Sequence, residues 1–290
     1  MKKILTAILM AAILLTSVLA FTACGGAEAN PVLKVIDIPL TSEEYAFAVK
    51  KGDAELLASV NSFLAEIKAN GKFDEIVNKY FGDGTPTGVT SAAEDASKDQ
   101  LVVATNAAFA PFEYKEGDTY YGVDMEIMAA LAESLGKELV ISNMEFESVC
   151  TAVAEGMCDV AAAGLTVNET RKQILDFSDS YYNASQVLIT KADDTTFDAC
   201  KTVEDVEAIL NALTASDKVG VQTGTTGQFY VAGDADWGFA GFACECVGYE
   251  VGALAAQNIL NGNVKYVIID IAPAKAIVEN TNALNLFPGS

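Results

Sequence analysis

The hydrophobic and polar positions along the chain predict alternating strands and helices from residue 101 onward. Apolar runs that read as strands occur at 101–105, 138–142, 159–163, 218–221, 242–247 and 266–270. Amphipathic stretches with helical periodicity lie between them, at about 124–135, 148–155, 203–213, 251–260 and 273–279. Such alternation indicates a parallel sheet covered on both faces, and its restart after 181–190 indicates a second unit. We therefore predict an α/β protein with two lobes and a cleft between them.

A shorter segment, residues 33–83, precedes this alternating region. It opens with two strand-like runs, at 33–38 and 45–49. A helix capped near Asp53 follows, and then a second helix around 73–80. Both helices are apolar on one side only, and so short a segment cannot bury those sides alone. We expect it to dock onto the rest of the same chain through residues 84–100, a small, polar and aperiodic linker.

The first 23 residues have the layout of a bacterial secretory signal. A basic start, an apolar run and small residues lead into Cys24, and this junction resembles a lipobox. We expect residues 1–23 to be removed and Cys24 to carry lipid. Residues 24–32 would then tether the protein to the outer face of the cell membrane. The alternative is an ordinary signal cleaved near Ala23, with Cys24 left as a thiol.

The charged residues exclude several classes of function. The net charge of −22 at pH 7 becomes −24 without the two lysines of the signal, so the surface repels nucleic acid. The chain contains no histidine, which excludes Ser-His-Asp and Cys-His catalysis and most catalytic zinc sites. We predict neither a catalytic group nor a metal nor a cofactor.

Five cysteines remain besides Cys24, namely Cys150, Cys158, Cys200, Cys244 and Cys246. An odd set cannot form a complete disulfide framework. Cys244 and Cys246 lie two residues apart in a predicted strand, too far apart for a relaxed disulfide between them. We expect mostly buried free thiols in preference to a single disulfide.

Two turns after predicted strands are suited to binding a carboxylate. Gly164, Thr166 and Arg171 follow the strand at 159–163 and offer N–H groups, a hydroxyl and a guanidinium. The Gly/Thr-rich turn at 222–227 follows another strand and could present N–H donors to the same anion. The structural alternatives are a solvated helix residue for Arg171 and a simple helix cap in the second turn.

An acid at the end of the strand at 266–270 completes this pattern. Asp270 follows a wholly apolar run, at the edge of the sheet where α/β proteins bind ligands. It could pair with an ammonium group, or else cap the helix that begins near Pro273. One cation, two anion-binding turns and one acid match a zwitterion in charge and number.

Short motifs along the chain resemble those of a known family. They are Val103–Glu113, Tyr121–Asp124, Gly164–Arg171, Asp176–Tyr182, Gln222–Gly227 and Ile269–Asp270. Together they resemble the periplasmic amino-acid-binding proteins of ABC importers, solute-binding protein family 3, and in particular the glutamine- and lysine/arginine/ornithine-binding types. The resemblance implies a two-lobed periplasmic-binding-protein type II fold. It also implies a free amino acid held between the lobes and delivered to an ABC transporter permease.

The resemblance assigns the two charged ends of the amino acid to five residues. Arg171, with Thr166 and Thr226, would bind the carboxylate. Asp270 would bind the ammonium, with the carbonyl of Gly164 as a second acceptor.

Four further residues would surround the ligand side chain. Phe109 and Phe146 correspond to the family's aromatic pair, although they could instead be core residues. Asn106 and Gln222 occupy positions that tune specificity. Several glutamine- and cation-binding members have Asp at the position of Asn106, a departure that weakens the case for a cationic ligand. Because these four residues offer amides and ring faces but no charge, we expect a ligand with a neutral side chain, polar or moderately apolar.

The order of the segments departs from that of the family. The counterpart of residues 33–83 normally closes the chain, whereas here it comes first, so the sequence resembles a circular permutant. The resulting prediction places the second lobe at 33–44 and 186–290 and the first lobe at 45–83 and 101–185. Segments near 41–45 and 181–185 would cross between them.

Two rival functions fit the same resemblance. One is an enzyme, because this fold also includes a dehydratase of cyclohexadienyl acids, and Glu113 or Glu145 would be its candidate acid. The other is a sensory amino-acid-binding module, which would need a kinase, a channel or a membrane-spanning segment. We expect a binding protein and not an enzyme.

Overall fold

The computed structural model describes residues 32–284, so the predicted signal, the lipidation of Cys24 and the tether up to residue 31 lie outside the described residues. The helices are α1 Ala54–Ala69, α2 Lys72–Phe81, α3 Val123–Ser134, α4 Phe146–Ala154, α5 Glu169–Lys172, α6 Val203–Asn211, α7 Thr226–Ala232, α8 Gly252–Leu260 and α9 Ile271–Leu284. The strands are β1 Leu33–Ile36, β2 Glu43–Tyr45, β3 Ala48–Lys50, β4 Gln100–Thr105, β5 Ala108–Phe109, β6 Glu113–Glu116, β7 Thr119–Tyr121, β8 Glu138–Asn143, β9 Val160–Ala161, β10 Leu175–Phe177, β11 Tyr182–Ala184, β12 Gln186–Lys191, β13 Lys218–Gln222, β14 Glu245–Tyr249 and β15 Tyr266–Asp270.

Two five-stranded sheets form the centres of the two lobes. Lobe 1 has the strand order β10-β3-β9-β4-β8, and lobe 2 has the order β1-β12-β15-β13-β14. Parallel pairs join β4 to β8 and β9, and β13 to β14 and β15. The six strands of the predicted alternating pattern therefore pair in parallel as expected, whereas the pairs that involve β1, β3, β10 and β12 are antiparallel. The antiparallel strand β12 enters lobe 2 directly from the neighbouring β11, without the helical crossover that a parallel connection requires.

The lobes are connected by a small two-stranded ribbon. Strand β2 pairs antiparallel with β11, with Glu43 opposite Ala184 and Tyr45 opposite Tyr182. Each strand belongs to one of the two predicted crossing segments. Side chains on this ribbon can therefore reach both lobes.

The early segment, residues 33–83, contributes to both lobes of its own chain. Strand β1 pairs with β12 at the edge of one sheet, and β3 lies between β9 and β10 in the other. The run at 45–49, predicted as one strand, is divided between β2 and β3 because the chain leaves the ribbon there and enters lobe 1. Helices α1 and α2 bury their apolar side chains Val60, Phe63, Leu64, Ile67 and Ile76. The segment thus supplies strands to both sheets.

The predicted linker at 84–100 is attached to the surface of lobe 1. Val89 and Tyr120 exchange backbone hydrogen bonds of 2.9 and 2.8 Å. Further on, the N–H of Ala92 donates to the carbonyl of Leu139 at 2.8 Å. Polar composition predicted a flexible coil, but these hydrogen bonds hold much of the segment in an extended path.

Two further features concern the membrane and the thiols. Within residues 32–284, no helix combines the length and the apolar character needed to cross a bilayer.

The cysteines of this range are all free thiols, of which Cys158 is buried and the other four are half-buried. Burial is therefore less complete than the sequence predicted.

Candidate functional site

The acid predicted at the end of β15 is buried where the lobes meet. Asp270 is 5% exposed, and the hydroxyl of Tyr45 donates to its Oδ1 at 2.5 Å. Burial first, and then the nearby charge of Glu43, raise the pKa of Asp270 to about 7. A buried carboxylate of this kind is costly in its charged form unless a cation pairs with it.

A second acid, Glu43, lies beside Asp270 on the ribbon strand β2. Its Oε1 accepts from Thr41 at 2.6 Å and from Nε2 of Gln186 at 3.0 Å, and its Oε2 accepts from Thr166 at 2.8 Å. Glu43 therefore links the ribbon to both lobes while facing Asp270. Sequence reasoning missed it, although its proximity to Tyr45 in a predicted crossing segment was a usable signal.

Arg171 is held by the short helix α5 of lobe 1. Asn168 caps this helix by accepting from the N–H of Arg171 at 2.8 Å. The guanidinium donates to the carbonyl of Thr166 at 2.7 Å and, across the cleft, to the carbonyl of Gly224 at 3.2 Å. Arg171 is 8% exposed, and burial lowers its pKa.

Two aromatic rings lie near this guanidinium. Its carbon is 5.5 Å from the ring centre of Phe146 and 5.2 Å from that of Trp237, within cation–π range of both. No ion pair within residues 32–284 includes Arg171. A buried guanidinium without a carboxylate partner is suited to an external anion.

The two predicted threonines meet across the cleft. Thr226 is the first residue of α7 in lobe 2, and its hydroxyl donates to that of Thr166 at 3.3 Å. Both are buried. The start of α7 and the loop before α5 therefore converge at these hydroxyls.

A second contact across the cleft joins the two predicted amides. Nε2 of Gln222 donates to Oδ1 of Asn106 at 3.0 Å, and Nδ2 of Asn106 donates to the carbonyl of Met144 at 2.7 Å. Within the described residues, Oε1 of Gln222 has no hydrogen-bond partner although it is buried. This end of the cleft presents neutral polar atoms.

The two predicted aromatic residues lie in different surroundings. Phe109 packs against Phe112, with ring centres 6.3 Å apart, and its ring fills the space that a Cβ at Gly164 would occupy. Phe146 lies near Arg171 and Gly224 instead. The ring contacts found in residues 32–284 do not include a Phe109–Phe146 pair, so their role as a sandwich stays a prediction.

Two more buried acids lie behind the site in lobe 1. Asp124 accepts from the N–H of Gly164 at 3.0 Å and from the hydroxyl of Tyr181 at 2.6 Å, and burial raises its pKa to about 7. Glu113 is fully buried, and neither of its carboxylate oxygens has a hydrogen-bond partner in the described part of the chain. Burial, followed by Asp124 and Asp270, raises the pKa of Glu113 well above its usual value. The interior near the cleft is therefore rich in acids.

A cavity of about 680 Å³ lies between the lobes next to these residues. Two of the predicted residues, Thr166 and Thr226, line it together with Glu43 and Trp237. The other predicted residues, namely Asn106, Phe109, Phe146, Gly164, Arg171, Gln222 and Asp270, are not in its walls. They pack beside it, where the lobes touch.

The sequence matches the bacterial extracellular solute-binding proteins, family 3, over residues 5–83 and 101–271. The chain belongs to this family. Its members share the two-lobed architecture described above, which agrees with the two sheets and the connecting ribbon.

Two curated relatives and one solved structure show how far the similarity extends. The arginine-binding extracellular protein ArtP of Bacillus subtilis is 38% identical over 109 residues, or 38% of this chain and 43% of the relative. A probable histidine-binding protein of Neisseria gonorrhoeae is 30% identical over 185 residues, or 62% of each chain. These matches span less than two thirds of either relative. The arginine-bound form of truncated ArgBP from T. maritima has a TM-score of 0.52 and 30% identity, over 63% of this chain and 78% of that one.

Proposed function

We propose that this protein binds a free amino acid between its lobes and delivers it to an ABC importer. The observation that supports the proposal is that a buried cation and a buried acid, each without a partner of opposite charge in the described residues, lie at the same cleft. Among residues 32–284, the buried Arg171 has no ion pair with a carboxylate, and the buried Asp270, beside Glu43, has none with a cation. An α-amino acid zwitterion supplies both missing partners.

The proposed pose follows from these charges. The ligand carboxylate would accept from Arg171 and from the hydroxyls of Thr166 and Thr226. The ammonium would donate to Asp270, with Glu43 and the carbonyl of Gly164 as further acceptors. Closure of the lobes removes water, so both ion pairs would act in a medium of low dielectric constant.

The proposed ligand has a neutral side chain. Asn106 and Gln222 support this choice, because the end of the cleft where they meet offers amide groups and no charge. A cationic amino acid is the second candidate. Glu43, which the sequence did not reveal, adds a second negative charge beside Asp270, and the relatives described above are named for arginine and histidine.

A thermal-shift screen with all common amino acids, followed by calorimetry, tests the proposal and decides between the two ligands. Glutamine or another neutral residue binding tightest would support the first choice, and arginine, lysine or histidine the second. If no amino acid changes the melting temperature and calorimetry shows no heat of binding, the proposed function is wrong.

The proposal also holds that the protein is not an enzyme. In the described residues, neither carboxylate oxygen of Glu113 has a hydrogen-bond partner, and Glu145 is the N-cap residue of α4 with no capping hydrogen bond from its side chain. Incubation with a cyclohexadienyl acid and detection of the aromatic product by ultraviolet absorbance is the direct test. Turnover above the spontaneous rate would contradict a pure binding role.

Attachment to the membrane through a lipidated Cys24 is part of the same proposal. Its support is the signal-like sequence before Cys24 and membership of an extracellular family. Wild-type protein should fractionate with membranes, whereas the Cys24→Ala variant should not. Equal release of both proteins into the soluble fraction would contradict lipidation.

A further inference from the structure

A loop of lobe 2 places the sole tryptophan of the chain against the cleft. The loop follows α7 and is closed by backbone hydrogen bonds in both directions between Asp234 and Phe239, each 2.9 Å. Oδ1 of Asp234 also accepts from the N–H of Trp237 at 3.1 Å. The indole stacks on Phe229 of α7, with ring centres 4.7 Å apart and planes at 28°. Lobe 2 alone therefore fixes the position of this ring.

The Trp237 ring also lies 6.5 Å from that of Phe239 in its own loop, and a further contact of the ring crosses to lobe 1. The Arg171 guanidinium lies 5.2 Å from its centre, while Phe146, from lobe 1 itself, lies 5.5 Å from the same guanidinium. Because Phe146 belongs to the same lobe as Arg171 and Trp237 does not, a separation of the lobes would break the Trp237–Arg171 contact and keep the Phe146–Arg171 contact.

We propose that Trp237 is a positioning residue that covers the Arg171 guanidinium on closure and thereby slows release of the ligand. The proposal rests on the proposed role of Arg171 as the carboxylate-binding group. The cation–π interaction between the ring and the guanidinium is stronger when both are out of water. The ring would also keep water from the ion pair between Arg171 and the ligand carboxylate. Trp237 would act through Arg171 and would not need to touch the ligand.

Binding measurements with two substitutions test this role. Trp237→Leu keeps an apolar side chain but removes the ring face, whereas Trp237→Phe keeps a ring. Trp237→Leu should raise the Kd for arginine or glutamine, whichever the wild type binds, by about 5- to 30-fold, mainly through faster dissociation. Trp237→Phe should recover most of the affinity. Calorimetry gives the Kd, and stopped-flow displacement gives the rate.

Phe242→Leu is the matched control. Phe242 packs on Tyr230, with ring centres 5.3 Å apart, and has no described contact across the cleft. This variant should lose stability without losing affinity. Unchanged binding by Trp237→Leu, or equal losses of affinity and melting temperature in the Leu and Phe variants of Trp237, would overturn the proposal.

A fluorescence measurement separates this inference from the proposed function. Because Trp237 is the sole tryptophan, all tryptophan emission reports on this loop. Saturating arginine or glutamine, whichever calorimetry shows to bind, should lower the quenching of that emission by acrylamide in the wild type, since the guanidinium then covers the ring. Unchanged quenching at saturating ligand would overturn the inference while the proposed function stands. If calorimetry shows that no amino acid binds, the proposed function fails, and the inference that rests on it fails with it.

Discussion

Arg171 is the sole arginine of the chain, so the site has no second guanidinium to replace it. Arg171→Ala would leave a ligand carboxylate buried without its cation, which costs about 3 to 5 kcal/mol of binding free energy. Arg171→Lys keeps the charge but loses the bidentate donor geometry, so its affinity for the ligand should lie between those of the wild type and the alanine variant. Calorimetry with the tightest ligand measures both. Wild-type affinity in the alanine variant would remove Arg171 from the site.

The raised pKa of Asp270 predicts that the free energy of unfolding of the ligand-free protein depends on pH. Its folded-state pKa of about 7 lies above the value of about 3.9 expected in the unfolded chain. The stability that it contributes is therefore complete below about pH 4 and is lost as the pH rises through 7. Between pH 5 and pH 8 this amounts to roughly 2 to 3 kcal/mol of the free energy of unfolding.

Asp270→Asn should remove that part of the pH dependence. Asp124, whose pKa is also raised to about 7, would remain and keep the slope from vanishing. Urea titrations at pH 5, 6.5 and 8 compare the two proteins. An identical pH dependence in both would mean that Asp270 does not titrate in this range.

The residues that sequence reasoning found and missed differ in one physical respect. Arg171 and Asp270 follow strands of the regular α/β pattern, so their meeting at one sheet edge could be predicted. Glu43 and Trp237 belong to the ribbon and to an irregular loop. Their positions depend on pairing with distant residues, which local periodicity does not encode.

At the scale of elements, the turn before α7 is tightly fitted to the opposite lobe. Gly224 has a φ of +79°, and a Cβ there would lie 2.9 Å from Cγ of Glu147 and 3.4 Å from the ring of Phe146. Both neighbours belong to α4 of lobe 1, so an added methyl group would obstruct closure more than folding. Gly224→Ala should weaken ligand binding by about tenfold or more, beyond a backbone strain of about 1 kcal/mol.

Gly136→Ala is the matched control for that strain. Gly136 also has a positive φ, +70°, but a Cβ there meets nothing within 4 Å. It should lower the melting temperature about as much as Gly224→Ala while leaving the Kd unchanged. Equal affinities in the two variants would mean that the turn is not in contact with α4 when ligand binds.

Long, regular elements could be predicted from the sequence and short ones could not. The helix predicted at 251–260 and the strand at 266–270 agree with α8 and β15 to within one residue. The three-stranded antiparallel sheet of β5, β6 and β7 was missed because strands of two to four residues are too short to show a period. The parallel pairing of the strands in the alternating region was predicted, but the antiparallel direction of β12 was not, since apolar runs look the same in parallel and antiparallel strands.

At the scale of the whole molecule, the two ends of the described chain are neighbours. Oδ1 of Asn282, near the end of α9, accepts from the N–H groups of Val32 and Leu33 at 2.9 and 3.0 Å. Its Nδ2 donates back to the carbonyl of Leu33 at 3.0 Å. We propose that the chain is a circular permutant of its family, opened between α9 and β1. The interruption of the family match at residues 84–100 supports the proposal.

Restoring the family order tests this proposal. The variant would begin at Gly84, run through Leu284, continue through a flexible linker of about six residues into Val32, and end at Asp83. Starting at Gly84 keeps the hydrogen bonds that attach residues 89–92 to lobe 1. Because Asn282 already touches Val32, the new connection should need no rearrangement of either lobe. The variant should therefore be monomeric by light scattering, melt within a few degrees of the wild type and bind the same amino acid.

Residues 84–284 alone are the control for that variant. They lack β3, which lies between β9 and β10, and β1, which covers β12. Both lobes would then expose unpaired strand edges and apolar surface, so this fragment should fail to fold as a monomer. A reordered chain that aggregates while the wild type folds would contradict the permutation. A wild type that forms an obligate dimer and loses ligand on dilution would show that residues 33–83 dock onto a second copy instead.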